Sequence, residues 1–163
     1  ILWTGTRNKK GQKMQDRFKF RYVFKKDFGG KTGICYKMPI FDLNEVTSDN
    51  FTKVIKDYTD FDYKLVSIEQ STGLKDKNGK LIYEGDILKY TSKPTNTQKN
   101  NPEYKPFTEN YSVVWEDFYT GYNLRNKEKV NCFNLGIMTK DCEIIGNIYE
   151  NPELLEGGCN GEN

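Results

Sequence analysis

At 163 residues, with no histidine, four cysteines and a net charge of +2, the chain is about one domain's worth of protein. The absence of histidine excludes Ser-His-Asp and Cys-His catalysis and histidine-bound metal nucleases. Apolar residues make up only 36%, yet 10 Phe, 11 Tyr and 2 Trp supply enough buriable area for a core.

The opening "ILWTGTR" reads as a strand, "NKKG" at residues 8–11 as a turn, and "FKFRYVF" at 18–24 as the partner strand of a hairpin. In the second strand Phe18, Phe20, Tyr22 and Phe24 recur with the period of two that gives one buried and one wet face. A third strand is expected at "GICYKMPIF", residues 33–41. In "SDNFTKVIKDY" the residues Phe51, Val54, Ile55 and Tyr58 fall at helical spacing behind Ser48 or Asp49 as cap, which predicts one amphipathic helix over 50–58. Short strands follow at 63–69, 81–90, 111–117, 118–124, 130–135 and 142–150, the pattern of a barrel or sandwich.

Between two of these segments lies the apolar-free run "KDKNGK", residues 75–80. As a calcium loop with Gly79 at the sixth position it places Leu74 and Gly85 where ligands belong. As a phosphate loop, Gly79 and Lys80 are followed by Leu81 where the hydroxyl residue belongs. What remains is a structural turn: Asn78 and Gly79 tolerate positive φ, Gly85 marks a bulge or sharp bend, and Asp86 can hold that bend through backbone hydrogen bonds, with Ile87 and Tyr90 facing the core. Residues 92–110 hold three prolines and four asparagines and read as a long mobile loop. Its Lys99, Tyr104, Lys105 and Phe107 are candidates for contact with a protein partner.

The blocks "STGLKDKNGKLIYEGDILKY" (71–90) and "EIIGNIYENPELL" (143–155), with the opening "ILWTGTRNKKGQ", resemble the YopX family of phage and prophage proteins. The resemblance implies a small SH3-like barrel and a viral origin, and carries no established activity. The fold expected is therefore mainly β: an N-terminal β-rich extension with one short helix (1–62) packed on a barrel (63–156), then a flexible tail (157–163).

Function is read from what the residues can and cannot assemble. Cys35, Cys132, Cys142 and Cys159 form no CxxC pair, so no zinc site is expected, and no cofactor. No apolar run approaches a membrane span and the first residues lack a signal peptide's regions, so the expectation is a soluble protein in the cytoplasm of a bacterial host. The surviving catalytic pattern is Asp42, Asp62, Tyr63 and Lys64, whose spacing is similar to that of a magnesium-dependent nuclease class. Residues 1–31 carry ten Lys or Arg against two acids, which makes Arg7, Lys9, Lys10, Lys19, Arg21, Lys25 and Lys26 candidate nucleic-acid contacts. An inward-facing aromatic row would leave those cations without a stacking platform. Residues 140–163 carry Lys140 against six acids, so oppositely charged ends could pair between copies in a homo-oligomer. The preferred reading is a non-enzyme: a module that docks on an unidentified host or phage protein, as inhibitor or modulator.

Overall fold

The computed structural model describes residues 14–30, 33–95, 98–126 and 133–156. The protein is mainly β, with two antiparallel sheets of which one is curled into a half-barrel. Its contacts divide it into two units that meet at Gly73–Leu74, later than the 62–63 boundary read from sequence. The difference arises because β4 (Lys64–Lys75) pairs along most of its length with β1 (Lys19–Asp27).

In the first unit β1 lies between β4 on one side and, on the other, β2 (Ile34–Lys37) and β3 (Ile40–Asp42) placed end to end. The single strand expected over 33–41 is thus two, because Pro39 has no amide to give the ladder; its carbonyl instead accepts from Tyr22 N at 2.9 Å. Asp42 then opens α1 (Leu43–Val46): its carboxylate accepts from Asn44 N and Glu45 N while Glu45 returns the bond to Asp42 N, a closed capping box. The expected helix is α2 (Asp49–Asp60). Phe51 meets Tyr22 and Phe41 edge-on, and Tyr58 stacks on Phe24 at 4.5 Å, so the two ends of the four-residue stripe pack on β1. Ser48 stands at the cap position but donates its hydroxyl to Glu45 O rather than capping α2.

The alternation expected of β1 is not what the fold shows: Arg21, Tyr22, Val23 and Phe24 are all buried, so both faces of the strand are covered at its centre. Arg21 is tolerated there because Glu69 lies directly opposite on β4, with Nε and Oε2 2.6 Å apart. Removing one partner of such a pair strands a buried charge and costs on the order of 3–5 kcal/mol.

The second unit begins at the end of β4 and turns into β5 (Leu81–Tyr83). Its sheet has the order β10-β6-β7-β8-β9, formed by β6 (Asp86–Thr91), β7 (Thr108–Glu116), β8 (Gly121–Arg125), β9 (Phe133–Asn134) and β10 (Cys142–Asn147). Ile82, Leu88, Tyr111, Val113, Leu124, Leu135 and Cys142 form its core, with Leu74, Tyr90, Tyr122, Met138 and Ile144 around them. Leu88 joins Tyr90 on this core, while Ile87 is buried on the opposite face of β6. Two sequence segments are re-cut. Of the strand expected over 130–135, residues 130–132 lie outside the described residues, Phe133–Asn134 form β9, and Leu135 opens α3 (Leu135–Met138), whose Gly136 amide is served by Asn134. Residues 118–120 leave the sheet altogether and form the turn between β7 and β8.

Candidate functional site

The polar run 75–80 is fastened to the unit it belongs to. Asp76 is buried, and its carboxylate accepts three backbone amides: Asn78 N and Lys80 N on Oδ1 at 2.9 Å each, and Ile144 N on Oδ2 at 3.1 Å. Lys77 N donates to Cys142 O, and outside the turn Lys77 Nζ and Asn78 Nδ2 both reach the Glu143 carboxylate, at 2.6 and 3.3 Å. The Lys77 hydrogen bond and charge hold the Glu143 carboxyl below its usual range. Gly79 completes the reversal at φ 83.

Gly85, with φ 76, does not lie within a strand; it ends a two-residue turn that splits 81–90 into β5 and β6. Its amide donates to Val113 O and its carbonyl accepts from Ile148 N, while Asp86 Oδ2 accepts Tyr83 N at 2.8 Å. The segment after β10 is ordered by Asn147, whose side-chain oxygen accepts Tyr149 N and Glu150 N, and by Asn110, whose amide reaches Leu154 O. The blocks 71–90 and 143–155, some fifty residues apart in sequence, therefore meet along β6 and β10. The architecture common to both is a set of turns closed by carboxylate and amide side chains.

The model of the family described as YopX protein matches residues 21–156. The chain belongs to the YopX family. Both blocks lie inside that match, whereas the opening "ILWTGTRNKKGQ" lies outside it and outside the described residues. Among solved structures, the chain is similar to protein EF1440 from Enterococcus faecalis, at 28% identity over 82% of this chain and 74% of that one, with a TM-score of 0.35. No curated protein matches.

The residues read as functional in this YopX-family chain are scattered. Arg7, Lys9 and Lys10 lie outside the described residues. Arg21 is not a surface cation: it is buried against Glu69 and has no access to phosphate. Lys19 is held by Asp16, and Lys26 donates to Phe61 O across the rings of Phe28 and Tyr63. Lys25 faces Lys64 on one neighbouring strand and Tyr36 on the other. Asp42 of the nuclease pattern is spent on the α1 cap, and Asp62 ends α2 with φ 61 and an exposed side chain. Among the described residues no group of three or more His, Cys, Asp or Glu could hold a metal ion, and no helix is long and apolar enough to cross a membrane.

In the 92–107 connection Lys99, Lys105 and Phe107 are exposed, but Tyr104 is half-buried because its hydroxyl reaches Ser92 Oγ. Buried Ser92 also takes Phe107 N and gives its own amide to Phe107 O, which closes the base of the loop, an order invisible in the composition. Of the cysteines, Cys35 is half-buried near the Tyr63 hydroxyl, and Cys142 is buried, which pushes its thiol up to about 11. Cys132 and Cys159 lie outside the described residues.

One surface was missed in the sequence reading. At the β7–β8 turn Phe118 is 88% exposed, Tyr119 57% and Trp115 47%. The rings are held in place: Trp115 lies opposite Tyr122 with centroids 5.1 Å apart, its indole N–H donates to Asp117 Oδ1 at 2.9 Å, and Phe118 and Tyr119 meet edge-on at 5.0 Å. Thr120, at φ 47, closes the turn with its amide on Asp117 O. The available signal was "DFYTG": two adjacent aromatics immediately before a turn residue, where a strand reading would bury only one.

Proposed function

We propose that this chain is a phage-encoded, non-enzymatic binding module that works in the bacterial cytoplasm by docking on a host or phage protein, with the β7–β8 turn as its contact. The observation that carries the reading is Phe118, whose ring is almost entirely in water at the end of a hairpin whose other rings are fixed. Rigid aromatic side chains lose little entropy on binding and dominate the energetics of protein interfaces. An apolar ring so exposed does nothing for the fold that a polar residue would not do. The commitment of Asp42 to a helix cap supports a reading without metal-dependent hydrolysis.

The test compares capture from bacterial lysate by the parent and by the Phe118→Ser/Tyr119→Ser variant, with folding checked by urea denaturation. A protein enriched by the parent and lost with the variant is the expected outcome; equal enrichment by both removes the turn as the contact. A second reading, nucleic-acid binding, is favoured by the registered row Tyr36, Lys25 and Lys64 across three strands. Titration with single-stranded DNA should then show steep salt dependence that Lys25→Ala/Lys64→Ala flattens.

A further inference from the structure

The aromatic tip also carries charge, and its sign narrows the kind of partner. Asp117 lies between Trp115 and Phe118 in sequence and spends one carboxylate oxygen on the indole, leaving the other without a hydrogen bond among the described residues. Glu84 adds its field beside Tyr122: burial first, and then this carboxylate, push the Tyr122 hydroxyl up to about 12. Glu116 is matched by Arg125. Glu84 and the described residues 111–126 thus bring three acids and one base to the region, alongside the rings of Trp115, Phe118, Tyr119 and Tyr122.

Ring faces are negative in their quadrupole and attract cations, above all the planar guanidinium, which stacks on a ring while pairing with a carboxylate. The same charges disfavour phosphate backbones and anionic bilayers. We infer that the β7–β8 turn takes an arginine-bearing, partly apolar segment of a protein partner, with the guanidinium on the exposed rings and paired with Asp117. This inference rests on the docking reading and adds the chemistry of the ligand to it.

The test uses the full chain with Trp3→Phe, so that Trp115 is its sole tryptophan and reports binding by fluorescence. The probes are a peptide of alternating Leu and Arg, the same peptide with citrulline for Arg, and phosphatidylglycerol vesicles. Citrulline keeps the shape of arginine and removes the charge. A saturable change with the arginine peptide, about tenfold weaker with citrulline and about tenfold weaker in Asp117→Asn, is expected. Asn retains an acceptor for the indole, so that variant changes charge while keeping the turn. Phe118→Ser should abolish the signal with an unchanged urea midpoint.

Equal binding of the citrulline peptide, indifference to Asp117→Asn, an equal response to the vesicles, or no saturable response to the arginine peptide each overturns the inference. The two readings fail separately. If lysate capture is lost in Phe118→Ser but intact in Asp117→Asn, docking stands and the cationic preference falls.

Discussion

Two turns of the second unit invert what their compositions announce. The run at 75–80 contains no apolar residue, yet its Asp76 is buried and gathers three amides, two from its own turn and one from β10. The turn at 117–120 carries two adjacent aromatics, yet those rings stand in water. The contrast teaches that a turn's place is decided by where its backbone amides are satisfied. At 75–80 they need the carboxylate of Asp76, which must come inside to reach Ile144; at 117–120 the amide of Thr120 is served within the turn, and the side chains face outward.

The comparison breaks most readily at Asp76. Asp76→Ala strands three amides, one of them on β10, and should cost about 3 kcal/mol in urea unfolding. A loss below about 1 kcal/mol would make this an ordinary surface turn.

Cys142, whose carbonyl holds Lys77 N, offers a second gauge. Burial, and then the charges of Asp141 and Asp76, push its thiol up to about 11, so at neutral pH peptide mapping after iodoacetamide should find it unmodified until the protein unfolds. In Asp76→Ala its labelling should accelerate in proportion to the lost stability. Because the folded state keeps a proton that the unfolded thiol releases near ~8.5, this group's contribution is complete below that pH. It declines as pH rises through the window up to about 11.

Gly79→Ala tests the turn's backbone alone. With φ 83 and nothing within 4 Å of the added carbon, only left-handed strain remains, about 1 kcal/mol. At the other turn Phe118→Ser should leave the urea midpoint within about 0.5 kcal/mol of the parent while removing capture, which separates a surface for binding from one for folding. The smallest effect belongs to the outer ion pair: Lys77→Ala should let the Glu143 carboxyl rise toward its ordinary value in an NMR titration. Its small contribution to stability is present above the unfolded value of ~4.3 and is lost as pH falls through the lower folded value. An unmoved titration would mean that the pair does not form in water.

Much of the fold could be read from residue spacing. The stripe Phe51, Val54, Ile55 and Tyr58 gave α2 and its half-buried side, since helical periodicity survives whatever the helix packs on. The turn chemistry of Gly79 and Asp86 is likewise local, written in φ preference and short side-chain reach, although only Gly79 of the pair Asn78 and Gly79 takes positive φ. What misled was reading β1 as having one wet face. Arg21 looks like a surface cation until Glu69, 48 residues away, is placed opposite it. The candidate site was the least legible part, because nothing in "WEDFYTGY" says which rings remain uncovered.

By itself, then, the sequence determined the β character, the helix α2 and the reversal that ends at Gly79, all of which follow from interactions within a few residues. Tertiary structure alone decided that Asp76 would fasten β10, that Arg21 would be buried with Glu69, and that Phe118 would face solvent. Each of those depends on a partner, or on the absence of a covering residue, distant in the chain. Local spacing carries no information about which distant strand arrives beside a side chain, and it is that arrival which fixes burial and charge.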